Sequence, residues 1–266
     1  MTGVQTCALP ISYDLLLQKS DINKVRARDL ERRKNSAEQY ELEIVSKRGD
    51  LRTFWFHATP VTDKSGNVTG SMSTVTDITE RKRTEVARRI QYNIARAIHT
   101  VNSTEELLET TRHELGRLFD TTNFFVARYN PETDRLKQLI FCDEMDSFDE
   151  WDAKQSVSGQ VVKSGKTIFL RGDELDAFSK KHNLEILGTD SACWLGIPVA
   201  IHNETIGVMV LQHYTNPQAY NESDVVLLEM VAHEIGVYLE KQKMIEDLIR
   251  AKVKAEESDR LKSAFL

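Results

Sequence analysis

The 46 residues from Asn221 to Leu266 contain no proline and a single glycine, Gly236. Read as one helix they extend about 69 Å at about 1.5 Å per residue, well past an ordinary domain helix. Leu228, Val231, Ile235, Tyr238, Gln242 and Ile245 recur along it at alternating three- and four-residue steps, the spacing of a seam that faces another helix. The seam thins over the polar stretch 256–260. A second helix of this kind is predicted from Thr79 to about Thr100. Its positions Ala87, Ile90, Ile94, Ala97 and Val101 make an equally narrow stripe, ringed by charges from Arg81 to Arg96. So thin a stripe suits a partner helix from a second protomer better than a broad core; a single amphipathic helix lying on the next domain is the alternative. The basic cluster 81–89 fits the solvated flank of a coiled coil rather than a nucleic-acid or membrane surface.

Around these rods the chain has room for one large domain or two smaller ones, since its 266 residues compare with about 100–200 per domain. A net charge of −6 argues against a nucleic-acid binder, which needs a concentrated basic face. No apolar run approaches the roughly 18–20 residues that span a bilayer. Three cysteines, Cys7, Cys142 and Cys193, are too few and too scattered for a disulfide framework or a paired metal knuckle, which suits a reducing, cytoplasmic setting. Residues 1–12 lack the basic start and apolar stretch of a signal peptide and resemble translated sequencing-adapter read-through, so they are read as a non-native leader. The chain stops in mid-helix without a stop signal, the mark of a fragment of something longer whose membrane anchor, if any, lies upstream.

Residues 13–38 are polar and helix-prone. Alternation then takes over in Tyr40-Glu-Leu-Glu-Ile-Val-Ser46, followed by a turn at Lys47-Arg-Gly-Asp50, the aromatic strand 51–58, a turn at Asp63-Lys-Ser-Gly-Asn67 and a strand over 68–75, which together predict an antiparallel meander. It ends at Asp77-Ile-Thr-Glu80, where Asp77 can cap a helix while Glu80 reaches back in a capping box. Glu43-Ile-Val-Ser-Lys-Arg-Gly-Asp50, the aromatic strand and Asp77-Ile-Thr-Glu-Arg-Lys82 resemble the C-terminal half of a PAS sensor domain with its exit motif. The strands and helices that usually wall a PAS pocket are absent.

Ser103-Thr-Glu-Glu106 is a further capping box, opening a helix to about Phe119. Strands are predicted at 123–129 and 135–142, then an acidic loop over 143–152, a short amphipathic piece at 157–165, a strand at 167–170 and a helix at 174–182. Two strongly apolar strands, 192–201 and 205–214, follow across the turn His202-Asn-Glu204. The alternation of helices and hairpins reads as α+β, an antiparallel sheet with helices on one face. Trp194-Leu-Gly-Ile-Pro198, Ile206-Gly-Val-Met-Val-Leu-Gln-His-Tyr214 and Tyr220-Asn-Glu-Ser-Asp224 resemble the second half of a GAF domain, and Ser158-Gly-Gln-Val-Val-Lys-Ser-Gly-Lys166 its middle. Lys254-Ala-Glu-Glu-Ser-Asp-Arg-Leu-Lys-Ser-Ala-Phe-Leu266 is similar to the opening of the dimerisation and phosphoacceptor helix of sensor histidine kinases, short of the histidine box.

These resemblances imply an organisation of leader (1–12), partial PAS domain (13–78), signalling-helix linker (79–101), GAF domain (102–240) and a coiled-coil helix entering a kinase dimerisation domain (241–266). They imply a bacterial two-component sensor, working as a homodimer with a response regulator downstream. Signal coupling is expected at Asp77, Ile78, Thr79, Ile90, Ile94, Ile235, Tyr238 and Ile245.

No catalytic or metal-ligating constellation emerges. His233-Glu-Ile-Gly236 departs from the kinase histidine box after its first residues, and His113-Glu-Leu-Gly116 lacks the second histidine four positions on that a zinc site needs. The remaining histidines are scattered. GAF-like enzymes that reduce free methionine sulfoxide use thiols, but Cys193 lies in an apolar strand and Cys142 borders the acidic loop, a setting that raises a thiol pKa. Neither cysteine matches the bilin-attachment pattern, and the motif of cyclic-nucleotide-binding relatives is not evident, so no cofactor is assigned. A small-molecule pocket between sheet and helices is expected from Phe125, Trp194, Leu195, Met209 and Leu211, with Cys193 or His213 as its polar point and the acidic loop with Trp151 as its lid; plain core is the alternative. The same modules can precede a diguanylate cyclase or phosphodiesterase.

Overall fold

The computed structural model describes residues 38–45, 51–202 and 204–264, and contacts divide the chain into two units that meet between Glu85 and Val86. The leader, residues 13–37 of the helix expected over 13–38 and the turn at 47–50 lie outside the described residues, and Glu38 opens a strand.

The first unit is an antiparallel meander of β1 (Glu38–Val45), β2 (Leu51–Thr62) and β3 (Val68–Asp77), in that spatial order. Alternation in β1 buries Tyr40, Leu42 and Ile44 and exposes Glu41 and Glu43, as a strand with one covered face requires. Tyr40 stacks on its cross-strand partner Phe56 at 5.1 Å. The turn between β2 and β3 closes on Asp63, whose Oδ1 accepts from the Ser65 and Asn67 amides at 2.8 and 2.9 Å.

Helix α1 (Thr79–Thr100) follows directly. Asp77 Oδ1 accepts from the Thr79 amide at 2.9 Å and its hydroxyl at 2.6 Å, so the cap closes on Thr79 and not on the reciprocal Glu80 contact anticipated. The Thr79 hydroxyl also accepts from the Thr53 amide at 2.9 Å, and the Ile78 amide donates to the Thr53 carbonyl at 2.9 Å. The three exit-motif residues thereby fasten the start of the helix to β2.

The second unit contains α2 (Thr104–Leu115), β4 (Asn123–Asn130), β5 (Arg135–Cys142), β6 (Glu150–Asp152), α3 (Val157–Ser164), β7 (Ile168–Arg171), α4 (Glu174–His182), β8 (Cys193–Ile201), β9 (Glu204–His213) and α5 (Glu222–Ala264). The strands form one antiparallel sheet in the order β6-β5-β4-β9-β8-β7. Caps follow the sequence signals: Ser103 accepts from the Glu106 amide at 3.1 Å and the Glu106 carboxylate accepts from the Asn102 amide at 2.9 Å.

Both faces of this sheet are covered, where helices on one face were expected. Strands β4, β8 and β9 carry runs of five or six consecutive buried residues, the pattern of a sheet with no wet face. Phe124, Val126, Cys193, Leu195, Ile197, Met209 and Leu211 pack on one side with α1, α2 and α5, through Ile90, Leu107, Leu228 and Ile235 among others. The alternate positions Phe125, Ala127, Trp194, Val208 and Val210 pack on the other with α3, α4 and Trp151 of β6.

Both helix seams need correcting at this point. Ile90 and Ile94 are wholly buried and share a cluster with Ala97 and Ile98. Ile98 lies off the heptad positions, so this half of α1 presents a broad face to its own domain rather than a thin one to another protomer. On α5, Leu228, Val231, Ile235 and Tyr238 are likewise consumed by the domain core. Its outer face exposes Val226, Met230 and Val237 alongside the core, and beyond the core the helix exposes Met244, Ile245, Leu248, Ile249 and Val253.

Candidate functional site

The parity of the strands decides where a ligand could sit. A cavity of about 60 Å³ opens on the α3/α4 face of the sheet, lined by Phe125, Phe141, Phe148, Trp151 and Trp194 and by the polar groups of Asp146, Ser156, Ser158, Thr189, Ser191 and Gln212. It holds about four water-sized groups at about 15 Å³ each. Phe125 (β4) stacks on Phe141 (β5) at 5.1 Å, and Trp151 stands perpendicular to both at 5.6 and 6.3 Å. The Trp194 indole lies over Gly196, where a Cβ would collide with its ring, so the glycine lets the indole lie along the sheet. Trp151 Nε1 donates to Ser158 Oγ at 2.9 Å, and Ser158 Oγ bonds Ser156 Oγ at 3.3 Å; these bonds fix the indole plane.

The acidic loop is tied down over this cavity. Asp143 Oδ1 accepts from the Met145 and Asp146 amides, both at 2.9 Å, and from the Tyr214 hydroxyl at 2.6 Å, while its Oδ2 accepts from Gln212 Nε2 at 2.6 Å. Asp146 Oδ2 accepts from the Thr189 amide at 2.8 Å and its Oδ1 from the Thr189 hydroxyl at 3.3 Å. Asn123 accepts from the Glu144 amide at 3.0 Å. Burial first, and then the Asp143 and Asp146 carboxylates, hold the Tyr214 phenol well above its ordinary pKa, because a phenolate there would face two like charges in a partly dry setting.

Of the residues expected to line a pocket, Phe125 and Trp194 come together at this cavity. Cys193, Leu195, Met209 and Leu211 lie in the core on the opposite face, one residue out of phase along the strands. His213, paired with Cys193 across β8 and β9, turns its Nδ1 to the Thr215 and Asn216 amides at 3.2 and 3.0 Å and sets its Nε2 3.6 Å from Asp120. Phe141, Phe148, Asp146 and Ser191 were not singled out from sequence. Phe141 was legible from the hairpin, since it stands opposite Phe125; Asp146 and Ser191 lie in loops that carry no period.

The two described thiols are remote from the cavity and from each other. Both pack with the helix-side core. Cys142 pairs with Phe124, Phe124 with Leu211, and Leu211 with Leu195 two residues from Cys193, a separation of three strand spacings across and two residues along, or about 16 Å. Burial pushes the Cys193 thiol above its ordinary pKa. Among the described residues no group of three or more His, Cys, Asp or Glu is placed to hold a metal ion, and no helix is long and apolar enough to cross a membrane.

A six-stranded antiparallel sheet with a long-helix layer on one face and an aromatic cavity under short helices on the other defines the class of fold. Residues 103–239 match the model of the GAF domain, and the chain belongs to that family. Solved structures agree in fold. The GAF domain of a phosphoenolpyruvate-protein phosphotransferase (ptsP) from Coxiella burnetii is similar at 13% identity and a TM-score of 0.51, covering 61% of this chain and 98% of that one. The free methionine-R-sulfoxide reductase of Neisseria meningitidis, in complex with its substrate, is similar at 18% identity and a TM-score of 0.50, covering 60% of this chain and 91% of that one. A search of curated proteins gave no match.

Proposed function

We propose that the chain is the sensory input and dimerisation segment of a cytoplasmic, signal-transducing sensor histidine kinase. In this reading 13–78 is the C-terminal half of a PAS domain, 79–101 the linker helix, 102–240 the GAF domain, and 241–266 a coiled-coil helix that runs into the kinase dimerisation domain. A ligand bound in the aromatic cavity changes the packing of the sheet against α5. That change biases two arrangements of paired exit helices, and a downstream kinase core passes the result to a response regulator. The segment itself transfers no phosphate.

One observation carries this reading: α5 is a single helix whose face is domain core as far as Leu239 and whose next turns expose Met244, Ile245, Leu248, Ile249 and Val253. Ile245, Ile249 and Val253 prolong the core face and Met244 and Leu248 the outer line of Val226, Met230 and Val237; apolar side chains left open to water on consecutive turns call for a partner, and a copy of the same helix supplies one of matching pattern. The sequence from Lys254 onward, similar to a kinase dimerisation helix, points the same way. Sedimentation of the full chain tests it. A concentration-dependent dimer is expected, and a monomer at every concentration rejects the reading.

A sulfoxide reductase is disfavoured by the thiols, which sit about 16 Å apart where a disulfide needs Cα atoms within about 7 Å, and on the wrong face of the sheet for the cavity. A diguanylate cyclase or phosphodiesterase input region would share every feature of the sensory half; the residues following Leu266 in the gene distinguish the two.

A further inference from the structure

We propose that the aromatic cavity binds an organic ammonium head, a methylated or otherwise alkylated cationic nitrogen. That such a cation is the signal rests on the sensor reading above; that the cavity binds it does not. Five aromatic rings line the space, with Trp151 at right angles to the stacked pair Phe125 and Phe141. Aromatic faces attract a diffuse cation through their quadrupole, and most strongly where water is excluded. They offer nothing to a hard metal ion, which needs oxygen ligands.

The charge at the rim has the complementary sign. Asp143 and Asp146 approach one phenol, but Tyr214 has a single hydroxyl hydrogen. Gln212 Nε2 donates into the Tyr214 oxygen at 3.0 Å, and Asp143 at 2.6 Å is nearer than Asp146 Oδ2 at 3.1 Å, so the hydrogen goes to Asp143. Asp146 keeps only its two bonds from Thr189 and retains acceptor capacity beside the rings. Among the described residues no Lys, Arg or His lines the cavity, and none pairs with either carboxylate, although a dozen ion pairs form elsewhere in the described chain. An anionic ligand would meet the repulsion of Asp146 with no cationic side chain among the lining residues to offset it.

The test is calorimetric titration of the full chain with methylammonium, tetramethylammonium and choline chlorides, against sodium chloride at equal ionic strength, with 3,3-dimethylbutan-1-ol as the neutral isostere of choline. At least one ammonium is expected to bind saturably and to change the tryptophan fluorescence, and the isostere to bind about tenfold or more weakly than choline. Asp146→Asn, which preserves shape, is expected to weaken the cation about tenfold without changing the isostere, and Trp151→Leu to abolish both signals; the melting temperature of each variant verifies that it is folded. Equal binding of choline and its isostere, or no saturable binding of any ammonium by the folded wild-type chain, overturns the proposal. Sedimentation of the same samples separates the two readings: a dimer that ignores ammonium overturns the ligand class alone, and a monomer that binds it overturns the sensor reading alone.

Discussion

Tyr238 is 1% exposed in the helix-side core, and its hydroxyl has no hydrogen-bond partner among the described residues. A phenol hydroxyl desolvated without compensation works against folding, so Tyr238→Phe is expected to stabilise the GAF unit by about 1 kcal/mol, read as a higher urea midpoint at unchanged slope. The reverse holds at Gly159 in α3, where a Cβ would overlap the Ala153 carbonyl. The obstacle is backbone rather than a movable side chain, so Gly159→Ala is expected to cost about 3 kcal/mol or more, measured by the same denaturation. At this scale the sequence was legible where a side chain obeys a short rule. Ser103 caps α2 as its spacing predicts, whereas Asp77 finds the nearer Thr79 before Glu80 can close the box. Ser191 had no such rule: it lines the cavity from a loop that carries no period.

The elements were largely readable, because their periods are strong. The exit helix was expected over Thr79 to about Thr100 and spans those residues, and the paired apolar strands appear within a residue or two of their expected ends. Less readable was which face each residue serves. When both faces of a strand are apolar, alternation carries no contrast, and Trp194 and Leu195 look equivalent in sequence although one lines the cavity and the other the helix-side core. The junction of β3 and α1 gives a prediction in pH. The Thr79 hydroxyl, followed by its amide and by Arg52, holds the Asp77 carboxyl below its ordinary value of 3.8. Ionised Asp77 is therefore favoured by folding: its contribution is complete above about pH 5 and is lost as pH falls below 3.8 through the folded value. Hydrogen exchange at the Thr53 and Thr79 amides is expected to be flat above that range, after correction for intrinsic rates, and to gain an opening component below it. Asp77→Ala should bring the same opening at neutral pH, at a cost of about 1 kcal/mol.

At the scale of the molecule, α5 has the two parts that the proposed signalling role would use. One face of its first five turns is core, with Leu228 and Ile235 wholly buried, and in the proposed reading a change in sheet packing shifts the helix as a body. Its later turns expose Leu248 at 71% and Ile249 at 57%, and in a lone chain these side chains contribute nothing to the fold. That asymmetry separates dimerisation from stability. The double substitution Leu248→Glu with Ile249→Glu places two like charges on the stripe at a point where the lone helix is already wet. The melting temperature of the GAF unit should then stay within the scatter of a neutral surface change, about 0.5 kcal/mol, while self-association by sedimentation is lost, because pairing would bury four carboxylates without partners. A control nearly four turns earlier, in the core, Ile235→Ala, should do the opposite, lowering stability by about 2–5 kcal/mol under conditions where any remaining folded chain still associates. If instead the double glutamate variant melts early, the stripe belongs to the domain and not to an interface, and the route from cavity to exit helix loses its second half.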